Sequence, residues 1–143
     1  IRGRRHRQAR FTVRSYKLAE ALFALGMRVK SLQRIAPPGL INSRNFWRGV
    51  VDGDGFVGVP RRKNRIGVCG GRVLMKQFLS FLRLQGIETD CDTQSQGKIC
   101  VVDLNSSPAT ATIRLLYENC TVALDRKNIR AQGVIKNELT KGK

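Results

Sequence analysis

The stretch FWRGVVDGDGFV, residues 46–57, decides how the rest of the chain is read. It sets two carboxylates, Asp52 and Asp54, among glycines at the end of an apolar helical turn. Carboxylates there meet the negative end of the helix macrodipole, at a cost of roughly 0.3–1 kcal/mol each unless a cation sits beside them. The stretch therefore asks for a metal ion or a basic partner.

At about 100 degrees per residue, Gly49, Gly53, Phe46, Val50, Asp54, Trp47 and Val51 fall in that order around an arc of roughly 200 degrees. Arg48 and Asp52 take the remaining face, where Asp52 is expected to meet water. So wide an arc predicts burial on two sides, with Asp54 inside it. Gly49 and Gly53, one turn apart, let a second helix backbone approach closely. Phe46, Gly49, Val50 and Gly53 are thus the expected helix–helix interface. A buried Asp54 calls for a raised pKa or a counter-charge; the alternative is a capped or salt-bridged acid of a tight turn. A calcium loop of the EF-hand kind fails, because Phe56, Val57 and Lys63 stand where its fifth ligand, its glycine and its closing glutamate belong. Magnesium, held by one or two carboxylates plus phosphate oxygens, fits better.

Outward from this helix, Asn42 or Ser43 can cap its start, and Gly55 suits the residue just past its end. VGVPRRKNRIGVCG predicts two strands around a basic turn, with Pro60 marking an edge or a bulge. Leu74, Phe78, Phe81, Leu82 and Gln85 recur at helical spacing until Gly86. IETDCDTQSQGKICVVDL predicts a hairpin turning at SQG. Ser107 and Pro108 open a third helix to about Tyr117, and LDRKNIRAQGVIKNEL a shorter last one. The order from residue 42 is helix, hairpin, helix, hairpin, helix, helix, an α+β domain. Upstream, APPGL at 36–40 reads as a linker, Leu18, Ala21, Leu22 and Leu25 as a helical stripe stopped by Gly26, and FTVRS as a strand. The opening IRGRRHRQAR is a basic arm without an initiating Met, as expected of a fragment or a processed chain. RFTVRSYKLAEALFALGM and RIGVCGGRVLMKQFLSFLRLQGI share a strand, a helix with a Leu-rich stripe and a Gly followed by an aliphatic residue, an internal echo for which chance similarity of two strand-to-helix units is the alternative.

Composition limits the partners. The chain has 143 residues, 41% of them hydrophobic, with 27 Lys and Arg against 10 Asp and Glu, a formal net charge of +17. That balance points to a polyanion, nucleic acid first. No apolar run approaches the roughly 18 residues of a membrane span, so a soluble intracellular protein is expected. Cys69, Cys91, Cys100 and Cys120 lack zinc spacing and read as reduced core residues, and His6 is the only histidine. Mixed Cys/His zinc sites, serine–histidine triads and histidine-based nucleases are thereby disfavoured.

FWRGVVDGDG resembles the signature helix of the LAGLIDADG homing endonuclease family, Trp47 to Gly55 aligning with its nine positions through Gly49, Asp52, Asp54 and Gly55. The element order and YENCTVALDRK, similar to a late L-x-R-K segment, extend the resemblance over residues 42 to about 137; residues 1–41 look like the tail of a preceding half-domain plus a link. The resemblance implies an antiparallel saddle sheet on duplex DNA, two motif helices side by side, and cleavage of both strands with Mg²⁺ or Mn²⁺. Carried over, Asp54 is a catalytic metal ligand, the Gly53 carbonyl a second metal contact, and Lys127 the basic residue of the cleavage pocket, stabilising the crowded negative charge. The implied host is an intron or an intein. With one motif present, the chain needs either a second copy, as a homodimer, or an N-terminal half-domain.

For the groove, Arg61, Arg62, Lys63 and Arg65 are the expected nucleic-acid contacts, able to read guanine edges or to hold phosphates; Arg72 and Lys98 are weaker choices. If Val57 and Val59 face the core, Gly58, Pro60 and Arg62 face the nucleic acid. Phe56 replaces a small residue of the family pattern, and Gly70 and Gly71 stand where a polar residue often helps hold water. Those departures motivate a rival reading, a non-cleaving RNA maturase or transcription regulator of the same fold. A basic ribosomal component is a third.

Overall fold

The computed structural model describes residues 12–28, 33–58, 64–96 and 99–141. Among the described residues, five helices and four strands follow in the order α1 (Tyr16–Ala24), α2 (Arg44–Asp54), β1 (Gly55–Gly58), β2 (Arg65–Gly70), α3 (Arg72–Leu84), β3 (Gln94–Gln96), β4 (Ile99–Asn105), α4 (Ser106–Tyr117) and α5 (Asp125–Lys141). The domain is α+β, and its element order from α2 onward is the one the sequence predicts. The strands form one antiparallel sheet in the order β1-β2-β4-β3, with Val57 opposite Ile66 and Val68 opposite Val102.

Period-two alternation divides the sheet into two faces. Val57, Ile66, Val68, Cys100, Val102 and Leu104 are buried in the core with α2, α3 and α4. Phe56, Arg65, Cys69, Ile99, Val101 and Asp103 lie on the other face and stay partly exposed. At the centre of the core, Trp47 is fully buried; its ring centroid stands 5.2 Å from that of Phe78 and 5.9 Å from that of Phe81. Its Nε1 donates to the Ile41 carbonyl at 2.7 Å, so the one polar atom of the side chain is satisfied. Ala36 N donates to Gln77 Oε1 at 2.8 Å. The proline-rich segment is therefore docked onto α3, not loosely tethered.

Local signals set the ends of the helices. Ser43 caps α2, its Oγ accepting from Phe46 N at 3.3 Å, and Ser15 caps α1 in the same way. Gly26 and Gly86 take φ of 89° and 73° just past α1 and α3, the left-handed turn that only glycine adopts without strain. Gly55 behaves differently. It is extended, at φ −116° and ψ −172°, and a Cβ there would lie 2.5 Å from the Gly67 carbonyl. Its glycine answers a close backbone approach, not a left-handed cap.

Four other expectations are corrected. Residues 12–15 of FTVRS form no strand. Helix α4 begins two residues early, at Ser106 with φ 56°, where Ser106 N donates to the Asn64 carbonyl at 2.9 Å and so replaces a proline-led start. Helix α5 is the longest of the five helices, with 17 residues, because Ala131, Val134 and Ile135 carry its buried stripe past Gly133. Of the four free cysteines only Cys100 is buried, the others standing at the margin of the core.

Candidate functional site

The site begins with the C-terminal end of α2, whose last carbonyls lack intrahelical donors. Leu124 turns the chain into α5, its carbonyl accepting from Lys127 N at 2.8 Å. That turn aims the Lys127 side chain at α2. Its Nζ donates to the carbonyls of Val51 at 2.5 Å, Asp52 at 2.8 Å and Gly55 at 2.6 Å. Three ammonium protons meet three acceptors, and the residue is 4% exposed. A cation at the negative end of α2 offsets the charge that the two acids add there. Burial, and then the neighbouring Arg126, push the Lys127 pKa below its ordinary value, against the pull of Asp52 and Asp54.

Asp52 does not face open water. Its Oδ1 accepts from the Tyr117 hydroxyl at 2.8 Å and its Oδ2 from Leu124 N at 2.9 Å, which ties α2 to the end of α4 and the start of α5. Burial, followed by the bond to and the charge of Asp52, raises the Tyr117 pKa far above the usual phenol range. Arg48, expected on the outer face, is 6% exposed and donates from Nη1 to the Leu116 carbonyl at 3.2 Å. The inner face of α2 is thus Trp47, Arg48, Val51 and Asp52. Its two charged members use the Leu116 carbonyl and the Tyr117 hydroxyl of α4 and the Leu124 amide just before α5, partners that no polarity pattern reveals.

Asp54, expected inside the buried arc, is instead exposed, its side chain at 59%. The reason is the rotation of α2: one face packs on the domain, while Phe46, Gly49, Val50, Gly53 and Asp54 look into an apolar cleft of about 480 Å³. Across the cleft stand Leu22, Leu25 and Met27 from the end of α1 and its turn, and Ile35 and Leu40 from the following segment. A Cβ at Gly49 or Gly53 would meet nothing within 4 Å among the described residues. Arg34 Nη1 lies 3.8 Å from Asp54 Oδ2, and Arg34 Nε is buried with no hydrogen-bond partner among the described residues. Cys69 Sγ donates to the Asp54 carbonyl at 3.3 Å, so the helix end adjoins the partly exposed sheet face.

The Asp54 carboxylate and the Gly53 carbonyl, which Lys127 does not take, are hard oxygen donors of the kind Mg²⁺ or Mn²⁺ accepts. Among the described residues, no three His, Cys, Asp or Glu gather into a metal-binding group. Asp54 and the Gly53 carbonyl supply two such donors and no more.

The expected nucleic-acid contacts divide. Arg61, Arg62, Lys63 and Lys98 lie outside the described residues, as do Val59 and Pro60. Arg72 is exposed at the first position of α3. Arg65 pairs with Asp103 on the partly exposed sheet face, its guanidinium carbon 5.5 Å from the centre of the Phe56 ring. Phe56 fits because Gly67 lies opposite it: a Cβ on Gly67 would come within 2.5 Å of that ring. Arg34, Tyr117 and Asp103 were not singled out by the sequence. Asp103 had a signal, the alternation of Val102, Asp103 and Leu104; Arg34 had none. In comparison with known proteins, neither a protein-family model nor a curated protein matches the chain.

Proposed function

We propose that this chain is a metal-dependent DNA endonuclease of the LAGLIDADG homing kind, acting as a homodimer or with an N-terminal half-domain, and serving an intron or an intein. One observation carries the reading. The face of α2 from Phe46 to Gly53 is apolar, free of side-chain obstruction at both glycines, and ends on an exposed carboxylate beside the partly exposed sheet face. A second α2 laid along Gly49 and Gly53 would bring two copies of Asp54 together, completing the half set of donors. Divalent ions held there supply charge neutralisation for the attacking and leaving oxygens of a phosphodiester. Asp54 and the Gly53 carbonyl orient the bound group. Lys127 holds the last turn of α2 in place, and the net charge of +17 draws the duplex onto the sheet.

The Asp54→Asn variant tests the reading. Incubated with target duplex and Mg²⁺ or Mn²⁺, it is expected to lose cleavage while binding DNA nearly as well as the wild type; equal cleavage rejects the assignment.

A second reading, a non-cleaving nucleic-acid binder of the same fold, is favoured by Lys127. The lysine expected to face the scissile phosphate is buried with all three protons on carbonyls. Wild-type protein that retards plasmid in a gel and never linearises it with either metal selects this reading.

A further inference from the structure

The face of α2 that carries Phe46, Gly49, Val50 and Gly53 has an apolar helix of the same chain standing across from it. The stripe of α1 runs through Leu18, Leu22 and Leu25, and the last two line the opposite wall of the cleft. This helix is held at one end. The turn at Gly26 packs on the segment beyond it, where a Cβ would lie 3.5 Å from both the Ile35 carbonyl oxygen and Pro37 Cγ. That segment is itself fixed, for Ala36 is 2% exposed and bonded to Gln77. Arg28 Nη1 donates to the carbonyls of Phe23 at 3.0 Å and Met27 at 2.8 Å, which ties the last turn of α1 to its exit.

The body of α1 is weakly held. None of its nine residues is buried, and Leu18, Phe23 and Leu25 stay exposed. So short a helix is marginal in water unless an apolar face supports it. The surface that Leu22 and Leu25 face is Phe46 and Val50, and closing the cleft takes both walls out of water. A second α2 needs the same space. Nothing touches Gly49 or Gly53 among the described residues, yet the cleft is too small for a helix. Eleven helical residues fill a cylinder about 16 Å long and 10 Å across, roughly 1,300 Å³, and even half of that exceeds the 480 Å³ of the cleft. The two helices exclude each other.

We infer that α1 is an autoinhibitory lid: it closes on α2 through Leu22 and Leu25, shields that face from a second copy of the chain, and lifts off when two α2 helices pair. The inference rests on the pairing of α2 proposed above, and its test separates the two. The full chain and its Leu22→Ser/Leu25→Ser variant are compared by sedimentation equilibrium and by amide hydrogen exchange read by mass spectrometry. In dilute solution the peptide spanning Tyr16–Ala24 exchanges roughly tenfold faster in the variant, because its helix has lost the partner face. The variant also dimerises roughly tenfold more tightly, since only chains with the lid open are competent to pair. In the wild type, protection of α1 falls as rising concentration populates the dimer. The thermal midpoint of the domain holds, because α1 lends no residue to the core.

Equal exchange of α1 in the two chains overturns the lid. So does protection of α1 that stays level or grows as the wild type dimerises, or a dimer weakened by the two serines, since either makes α1 part of the interface. The wild-type series needs no substitution, so it decides the matter if the variant melts early. A variant whose α1 is unprotected and which stays monomeric at every concentration overturns the pairing of α2 first, and the lid with it.

Discussion

The Lys127 ammonium lies 2.5 Å from the Val51 carbonyl, joining the first turn of α5 to the last turn of α2 across 76 residues of sequence. Through the same atom it holds Asp52 and Gly55, so the backbone on both sides of Asp54 is fixed by one side chain. Lys127→Met keeps the apolar stem and removes the donors. It is expected to cost roughly 1.5–3 kcal/mol, the worth of a hydrogen bond from a charged group. Lys127→Arg restores little, because a planar fork does not match three converging carbonyls. Urea unfolding measures both, and a methionine variant as stable as the wild type would show the cap to be inconsequential.

Tyr117 gives a stability profile with a definite sign. Its folded pKa is raised above the unfolded phenol value of about 10, so its contribution is complete below that pH and declines as pH rises through and beyond it. Lys127 acts the other way: with its folded pKa lowered, stability rises with pH between that value and about 10.5. The difference between wild type and Tyr117→Phe isolates the tyrosine. Urea midpoints measured from pH 8 to 11 should fall less steeply above pH 10 in the variant.

Gly49 and Gly53 separate folding from assembly. Both lie inside a helix, where alanine gains roughly 0.5–1 kcal/mol, and neither has an obstructing neighbour among the described residues. The Gly49→Ala and Gly53→Ala variants should therefore raise the thermal midpoint of the isolated chain. If a second helix packs on this face, the same methyl groups hold it off, and the monomer fraction should increase in analytical ultracentrifugation. Stabilisation with unchanged association would remove the helix–helix role from these positions.

Under the proposed function, Arg34 would compete with a divalent cation for Asp54. Their ion pair is half exposed and worth no more than about 1 kcal/mol, so Arg34→Ala should tighten Mn²⁺ binding by up to roughly five-fold. Electron paramagnetic resonance of free Mn²⁺ reads this without any cleavage. An unchanged affinity would mean that the arginine does not guard the carboxylate.

Much of the architecture was legible from residue 42 onward, because the elements there are marked by short-range chemistry. Ser43 caps α2, Gly86 stops α3, and the alternation of Ile66, Val68, Val102 and Leu104 marks the covered sheet face. Where distant backbone supplies the partner, the same rules misjudged burial. Arg48 and Asp52 look like surface residues until α4 and Leu124 offer them a carbonyl and an amide. Gly55 looks like a helix stop until the Gly67 carbonyl crowds it.

The motif acids, the charge excess and the order of the elements are properties of neighbours along the chain, and sequence sufficed for them. Whether Asp54 faces the core or the cleft, and whether Lys127 meets a phosphate or caps a helix, depends on the rotation of α2 and the seating of α5. Periodicity specifies which residues share a helical face but not which face the rest of the fold covers. That choice follows from hydrogen bonds made across 65 to 76 residues of chain.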